Sequence, residues 1–511
     1  NTTSKLRATA DGRAWLMSPD NQQAVLVKNN NLWLRDIATG DERALTTDGQ
    51  ALYKYGVGGT VWGASAEGND KVHARWSPDG KKLFTVQRDL RQVKTYPRVF
   101  FTPENGSGRP IVDNEHIARP EDEHVGNYRL VVIDIETGKI TEAAHPPLIF
   151  ANNGWGFFEA NLGWWANDSK HAYFVEQQRG DQRVRVFKFD TVTGEVRYLF
   201  TESNDTYVEF RADSELLPMF KPLPETEELI WFSERSGWGH LYLYDLKTGK
   251  VKNTITSGDW NVFDILHVDM TKRELLLQVS GRVEGRDPYY KELVHVHMDT
   301  GKLTSLVSSD HDYFTPMLSY YPSPVSASGE YFVVTKSRIN TVPVSLLFDR
   351  GGKQIMELET ADVSGLPKGW QWPEPVKMIA ADGKTDIYGA IFRPSTFDPD
   401  QKYPVLEYTA YTAADAPSTP KGAFGNNYIL DNYFYSTAAA YAELGFIVVM
   451  VDGRGGSFRS KAFENFSYGW EGPSTSEQAD RVAGIKQMAE LYPSMDLSRV
   501  GITGWRGANR A

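Results

Sequence analysis

The side chains able to do covalent or metal chemistry are unevenly supplied. None of the 511 residues is cysteine, so disulfides, thiolate metal sites and thiol nucleophiles are excluded. Ten histidines are present, but none sits in a nucleophile–base motif. His124, His240 and His311 read as solvated or structural. Carboxylates outnumber cations, 66 Asp and Glu against 55 Lys and Arg, for a net charge of −11. With no Lys/Arg run, that balance argues against a nucleic-acid or anionic-membrane partner. Glu227-Glu228 pairs two carboxylates, yet it precedes a strand-like run and reads as a charged strand edge. Near the carboxyl end, Gly504-Trp505-Arg506-Gly507 follows a β-rich run and, taken alone, reads as a tight strand-to-helix turn.

Any such group must be positioned by a scaffold, and the scaffold announces itself as a repeat. Asp36-Ile-Ala-Thr-Gly40, Asp134-Ile-Glu-Thr-Gly138, Asp190-Thr-Val-Thr-Gly194 and Asp245-Leu-Lys-Thr-Gly249 share one turn, with Asp299-Thr-Gly301 and Asp349-Arg-Gly-Gly352 as weaker versions. The Asp-to-Asp intervals are 98, 56, 55, 54 and 50 residues. The first is nearly double the others, which predicts an unrecognised copy near residue 85. The Asp and Thr side chains can bond the turn backbone, and Gly supplies positive φ. Flanking runs such as Arg129–Asp134 and His240–Asp245 read as half-buried strands of hairpins. A second turn recurs upstream in Ser18-Pro-Asp20, Ser77-Pro-Asp-Gly80 and Asn167-Asp-Ser169. A unit of about 50 residues with several strands and two fixed turns reads as a propeller blade. Seven blade-like units are counted, in a β-propeller domain assigned to residues 1–360.

After Trp370-Gln-Trp372-Pro373 the pattern changes. Thr385–Arg393 and Tyr403–Ala410 read as strands, 431–444 as a helix, and Gly445–Val451 as a strand buried on both faces, of the kind found in parallel sheets. A helix from about Ser474 to Tyr492 is expected to open on a capping box, Ser474 to Glu477, and to bury a stripe of Val482, Ile485, Ala489 and Tyr492. Ser498–Thr503 reads as a further strand. Alternating strand and helix predicts an α/β domain over residues 361–511. The longest apolar run, Phe446–Val451, has six residues against the roughly 18 that span a bilayer.

The order of domains and several local runs resemble the dipeptidyl peptidase IV branch of the prolyl oligopeptidase family of serine peptidases. In the first domain these are Arg75–Phe84, Arg91-Gln92-Val93, Tyr96-Pro97 and Ser233–Asp245. In the second they are Lys402–Leu406, Asp452-Gly-Arg-Gly455, Arg459–Phe463 and Asp496–Trp505. The resemblance implies a propeller of eight blades in the complete protein, followed here by the first part of an α/β-hydrolase domain. It also implies acyl transfer by a serine on a G-x-S-x-G elbow. The chain instead reads Gly504-Trp505-Arg506-Gly507-Ala508. Three explanations stand: Arg substituted for Ser, a serine missing between Trp505 and Arg506, or a shifted frame from Arg506 onward. The second alone restores the whole motif, as Gly-Trp-Ser-Arg-Gly.

The triad Asp and His follow the serine in this family, so they are expected beyond residue 511, and the chain as it stands is expected to be inactive. The resemblance assigns the second oxyanion donor to a tyrosine, for which Tyr411 is the candidate. It assigns recognition of the substrate's α-ammonium to paired glutamates, of which Glu67 remains and Ala66 replaces the other. The function so implied is release of short amino-terminal peptides after Pro or Ala. No metal or organic cofactor is implied, and a homodimer is an expected assembly. The polar start, Asn1-Thr-Thr-Ser4, fits a processed secretory signal, so a periplasmic or secreted location is expected, with the cytoplasm as the alternative. A catalytically inactive homologue that binds peptides or a protein partner is the competing reading.

Overall fold

A computed structural model describes residues 6–8, 14–57, 72–102, 106, 108–149, 157–158, 160–209, 218–315, 323–409, 417–424, 429–468 and 473–504. The chain divides into two compact units, residues 1–208 with 222–229 and 245–250, and residues 209–221 with 230–244 and 251–511.

Up to Thr360 the backbone forms antiparallel sheets, in most of which successive strands are neighbours. Gly163–Trp165, His171–Gln177, Arg183–Asp190 and Val196–Ser203 make one such sheet, and Glu274–Ser280 lies inside another. These are the sheets of a β-propeller. The repeated Asp works as the sequence predicts. Asp190 Oδ1 accepts from the backbone N–H of Val192 at 2.8 Å and of Thr193 at 2.9 Å, while Gly194 donates to the Asp190 carbonyl at 2.9 Å with φ of +87°.

Two details of the repeat are corrected. At the fifth turn the initiating residue is His297, not Asp299. Gly301 donates to the His297 carbonyl at 2.9 Å, and His297 Nδ1 stands in for the carboxylate by accepting from Asp299 N–H at 3.2 Å. Counted from His297, the last two intervals are both 52 residues. Nor does the long first interval hide another copy near residue 85. Lys82–Asp89 pairs directly with Asn127–Asp134, and the residues between them make a separate two-stranded ribbon, Thr95–Phe100 against Ile111–His116. Six blade sheets, rather than seven, therefore precede Thr360 among the described residues.

The following sheet contains β1 (Glu374–Ile379), β2 (Asp386–Phe392), β3 (Tyr403–Thr409), β4 (Ile447–Asp452) and β5 (Met495–Gly504), in the order β1-β2-β4-β3-β5. β2 runs antiparallel to β4, whereas β3, β4 and β5 are mutually parallel. Helix α1 (Ile429–Glu443) links β3 to β4. The short α2 (Lys461–Glu464) and the long α3 (Pro473–Leu491) lie between β4 and β5. The two crossovers run in opposite directions along the sheet, so right-handed connections put α1 and α3 on opposite faces. The side chains of β4 divide accordingly. Val448 and Met450 pack with Phe434, Tyr435 and Ala438 of α1, while Ile447, Val449 and Val451 pack with Ile485 and Met488 of α3. This is why the sequence of β4 is apolar without alternation.

α3 departs from its expected start and from one member of its expected face. It begins at Pro473, one residue before the expected capping serine, and proline's fixed φ and missing N–H suit the first helical position. Of the expected stripe, Ile485 is buried and Ala489 and Tyr492 pack against the same core, whereas Val482 is 50% exposed; Asp480, Arg481 and Met488 are buried as well. Among the described residues no helix is long and apolar enough to cross a membrane.

Candidate active site

In parallel sheets, ligands bind beyond the carboxyl ends of the strands. Here those ends are Thr409 of β3, Asp452 of β4 and Gly504 of β5. Thr409 lies opposite Gly504, and Tyr408 opposite Thr503, in the β3–β5 register. Residues 500–503 are extended, as expected of a strand feeding an elbow. Gly504 is the only elbow position within the described residues. Trp505, Arg506 and Gly507, the oxyanion candidate Tyr411, and the ammonium candidate Glu67 lie outside them.

Behind the strand ends lies a charge network that the sequence did not single out. Glu407 and Arg481 are only 6% and 5% exposed. Arg481 Nη1 donates to Glu407 Oε1 at 3.0 Å and also to Thr409 Oγ1, while Nη2 donates to Glu477 Oε1. Burial pushes the Glu477 carboxyl up even against the pull of Arg481. Burial also works against the guanidinium, but Glu477 and Glu407 outweigh it and hold Arg481 firmly charged. The i,i+4 spacing of Glu477 and Arg481 was the one visible signal. Glu407, a charge inside an apolar strand, was its partner.

A second network starts at Asp452, whose two oxygens serve different partners. Oδ1 accepts from the Thr419 backbone N–H at 2.9 Å, and Oδ2 from Lys421 Nζ at 2.9 Å. Lys421 also lies 4.0 Å from Asp287 Oδ2 and 4.4 Å from the centre of the Tyr289 ring. Burial raises the pKa of Asp287, with Lys421 opposing it, and burial pushes Tyr289 up to about 12. Two residues on, Arg454 makes a bidentate pair with Asp480 of α3, 2.9 Å from Nε to Oδ2 and 2.9 Å from Nη2 to Oδ1. The geometry is thus an ion-paired floor behind the ends of β3 and β4.

Most of the remaining candidates have partners of their own. Glu228 is buried and accepts from Thr226 Oγ1 at 2.7 Å, and Glu227 faces Lys247 at 3.2 Å. His240 is buried between Thr256 Oγ1 and the Gly258 carbonyl, where burial lowers its pKa. His124 is exposed, and His311 contacts Ser309 Oγ at 3.1 Å. No group of three or more His, Asp or Glu among the described residues is arranged to hold a metal ion.

Comparison with known proteins follows the same division. Residues 2–343 match the dipeptidyl peptidase IV N-terminal region, and residues 432–506 match the prolyl oligopeptidase family. A probable dipeptidyl peptidase 4 of Aspergillus flavus is 23% identical over 496 residues, covering 96% of this chain and 60% of the relative. A probable dipeptidyl-aminopeptidase B of Emericella nidulans is 26% identical over 518 residues, covering 97% and 53%. The chain therefore spans little more than half the length of these curated relatives. Among solved structures, Porphyromonas gingivalis dipeptidyl peptidase 4 is similar with a TM-score of 0.75 at 20% identity, covering 98% of this chain and 65% of that one. A putative dipeptidyl aminopeptidase IV from Bacteroides ovatus gives 0.74 at 22%, covering 98% and 67%.

Proposed function

The chain belongs to the dipeptidyl peptidase IV branch of the prolyl oligopeptidase family, and on that premise we propose that it is the propeller and leading hydrolase part of a serine peptidase releasing short amino-terminal peptides after Pro or Ala. The observation that carries this reading is the position of Gly504. It ends β5 beside Thr409, in a sheet ordered β1-β2-β4-β3-β5, where an α/β-hydrolase holds its nucleophile elbow. In the proposed mechanism a serine between Trp505 and Arg506 attacks the scissile carbonyl. The Arg506 N–H and the Tyr411 hydroxyl hold the oxyanion, and water then hydrolyses the acyl-enzyme. Glu67 binds the substrate's ammonium, and the catalytic Asp and His come from sequence after the elbow. We place the domain boundary at residues 360/361, between the last blade strand, which ends at Thr360, and β1.

The competing inactive-homologue reading is favoured by the direct succession of Trp505 and Arg506 alone. A fluorophosphonate distinguishes the two. The peptidase reading expects stoichiometric labelling with the adduct mapped between these residues, together with cleavage of chromogenic Xaa-Pro and Xaa-Ala dipeptides. A coding sequence with Trp directly followed by Arg, and no label, rejects it. A periplasmic or secreted location belongs to the same proposal and is tested by fractionation. So does a homodimer, supported by the exposed apolar residues Val99, Phe101 and Val112 of the ribbon and its flank. Val112→Glu is expected to give monomers by light scattering.

A further inference from the structure

Between β4 and α2 the backbone at Phe458 has a φ of +68°, a left-handed conformation that is costly for a bulky side chain and persists only where the surroundings impose it. Residues 230–244 and 251–511 belong to one compact unit, and within it the surroundings are two successive blade sheets. The Phe458 ring packs on Phe263 with centroids 4.7 Å apart. Asn261 Nδ2 donates to the Arg459 carbonyl at 3.0 Å. The Lys461 N–H donates to the carbonyl of Gly237, in the turn between strands Glu228–Ser233 and His240–Asp245, at 2.8 Å. Ser460, between these anchors, caps α2 by accepting from the Phe463 N–H at 3.3 Å. The same seam encloses an uneven set of charges. Lys461 Nζ lies 2.8 Å from Glu234 Oε2 and 3.8 Å from Glu464 Oε2, and the Lys461, Glu234 and Glu464 side chains are 7%, 10% and 5% exposed. The neighbouring arginines turn elsewhere. Arg235 lies over the Tyr242 ring at 4.4 Å and bonds the Tyr244 hydroxyl, while Arg459 lies over the Phe463 ring at 4.4 Å and donates to the Asp386 carbonyl.

We propose that Glu234, Lys461 and Glu464 form a proton-dependent clamp that fixes residues 458–464 on the blade sheets, closed while the two glutamates share a proton and opening as pH rises. One ammonium balances one carboxylate. With both glutamates ionised the seam holds a net negative charge away from water, which is costly, so closure favours a proton on one of them. The chemistry of Glu234 runs the same way, since burial first and Glu464 next hold its carboxyl well above the usual range, with Lys461 opposing them. A proton bound more tightly in the closed seam than in the opened one favours closure at low pH, and that contribution is lost as pH rises through the raised pKa. Opening also lets Phe458 leave its left-handed conformation, so strain and charge act in the same direction. The inference is independent of the peptidase reading.

The test is hydrogen exchange on the full-length protein, parent against Glu234→Gln, which keeps the neutral form at every pH. The two are compared with each other at about pH 5 and again at about pH 9, so that the chemical exchange rate cancels. At the lower pH they are expected to exchange alike in residues 234–239 and 458–464. At the higher pH the parent is expected to exchange about tenfold faster in these two segments, while α1 and β4 match the variant. Equal exchange at both pH values overturns the proposal, and so does a parent that exchanges faster only at the lower pH. A parental increase spread evenly over α1, β4 and the blade strands is global unfolding and overturns it too. If Glu234→Gln does not fold, Glu464→Gln, which removes the same repulsion, is read in its place with the same outcomes.

Discussion

A blade turn and the floor of the hydrolase edge use the same polar groups at very different range. Asp190 bonds the amides two and three residues ahead of it, so the bonds that make the turn are written in five consecutive residues. Arg481 bonds Glu407 and Thr409, 74 and 72 residues away in sequence. The local device sits near water, and losing it returns amides to solvent. The long-range device is sealed, and losing one partner strands the others. The repeat is thus built to tolerate variation at any one copy, whereas the edge is not.

That contrast can be broken by experiment. Arg481→Met leaves Glu407 and Glu477 buried without their cation and is expected to cost about 3–5 kcal/mol in urea unfolding. A cost no larger than that of a turn substitution would erase the distinction.

A second buried cluster gives a pH signature. Lys461 Nζ lies 2.8 Å from Glu234 and 3.8 Å from Glu464, one cation for two carboxylates. Burial first, and Glu464 next, raise the pKa of Glu234 well above its usual value, with Lys461 only partly opposing them. The folded state therefore holds this proton more tightly than the unfolded chain does. Its contribution is complete below roughly pH 4.3, the unfolded glutamate value, and is lost as pH rises through the folded pKa. Relative to Glu234→Gln, the parent is expected to lose stability over that rise. A parent that gains stability relative to the variant reverses the sign and refutes the assignment.

The smallest effects belong to the turns. Asp190→Ala is expected to cost about 1 kcal/mol. His297→Asp, which installs the carboxylate found in the other copies, is expected to gain about 0.5 kcal/mol. Both are measurable by paired denaturation curves, and a loss on His297→Asp would show that the imidazole is the better acceptor in that turn.

What could be read from sequence follows the same line. The Asp and Gly of each turn were legible because donor, acceptor and positive-φ residue are neighbours. Asp299 misled because the true initiator, His297, uses a nitrogen where the pattern demanded an oxygen. Interval arithmetic cannot distinguish a missing copy from an insertion, so the length added by the ribbon reads as an extra copy near residue 85. In α3 the period and most of the stripe were legible, with Val482 turned out and Arg481 turned in. Arg481 is buried against Glu407 and Thr409 of β3 as well as Glu477 of its own helix, and a charge in a pattern is ordinarily counted as solvent-facing. The extension of β5 to Gly504 was legible from Val500-Gly-Ile-Thr503, but nothing local to Asp452 pointed to Thr419 or Lys421.

The ribbon itself bears on how such a chain can change. Asp89 and Asn127 already face each other across paired strands, so the stem is closed before the excursion starts. Closing a longer loop there costs only about 0.6 kcal/mol per doubling of its length. A change of length between Asp89 and Asn127 therefore leaves the pairing beneath in register, and what an exchanged segment gives up is the set of bonds from Arg179 to the carbonyls of Arg119, Pro120 and Asp122.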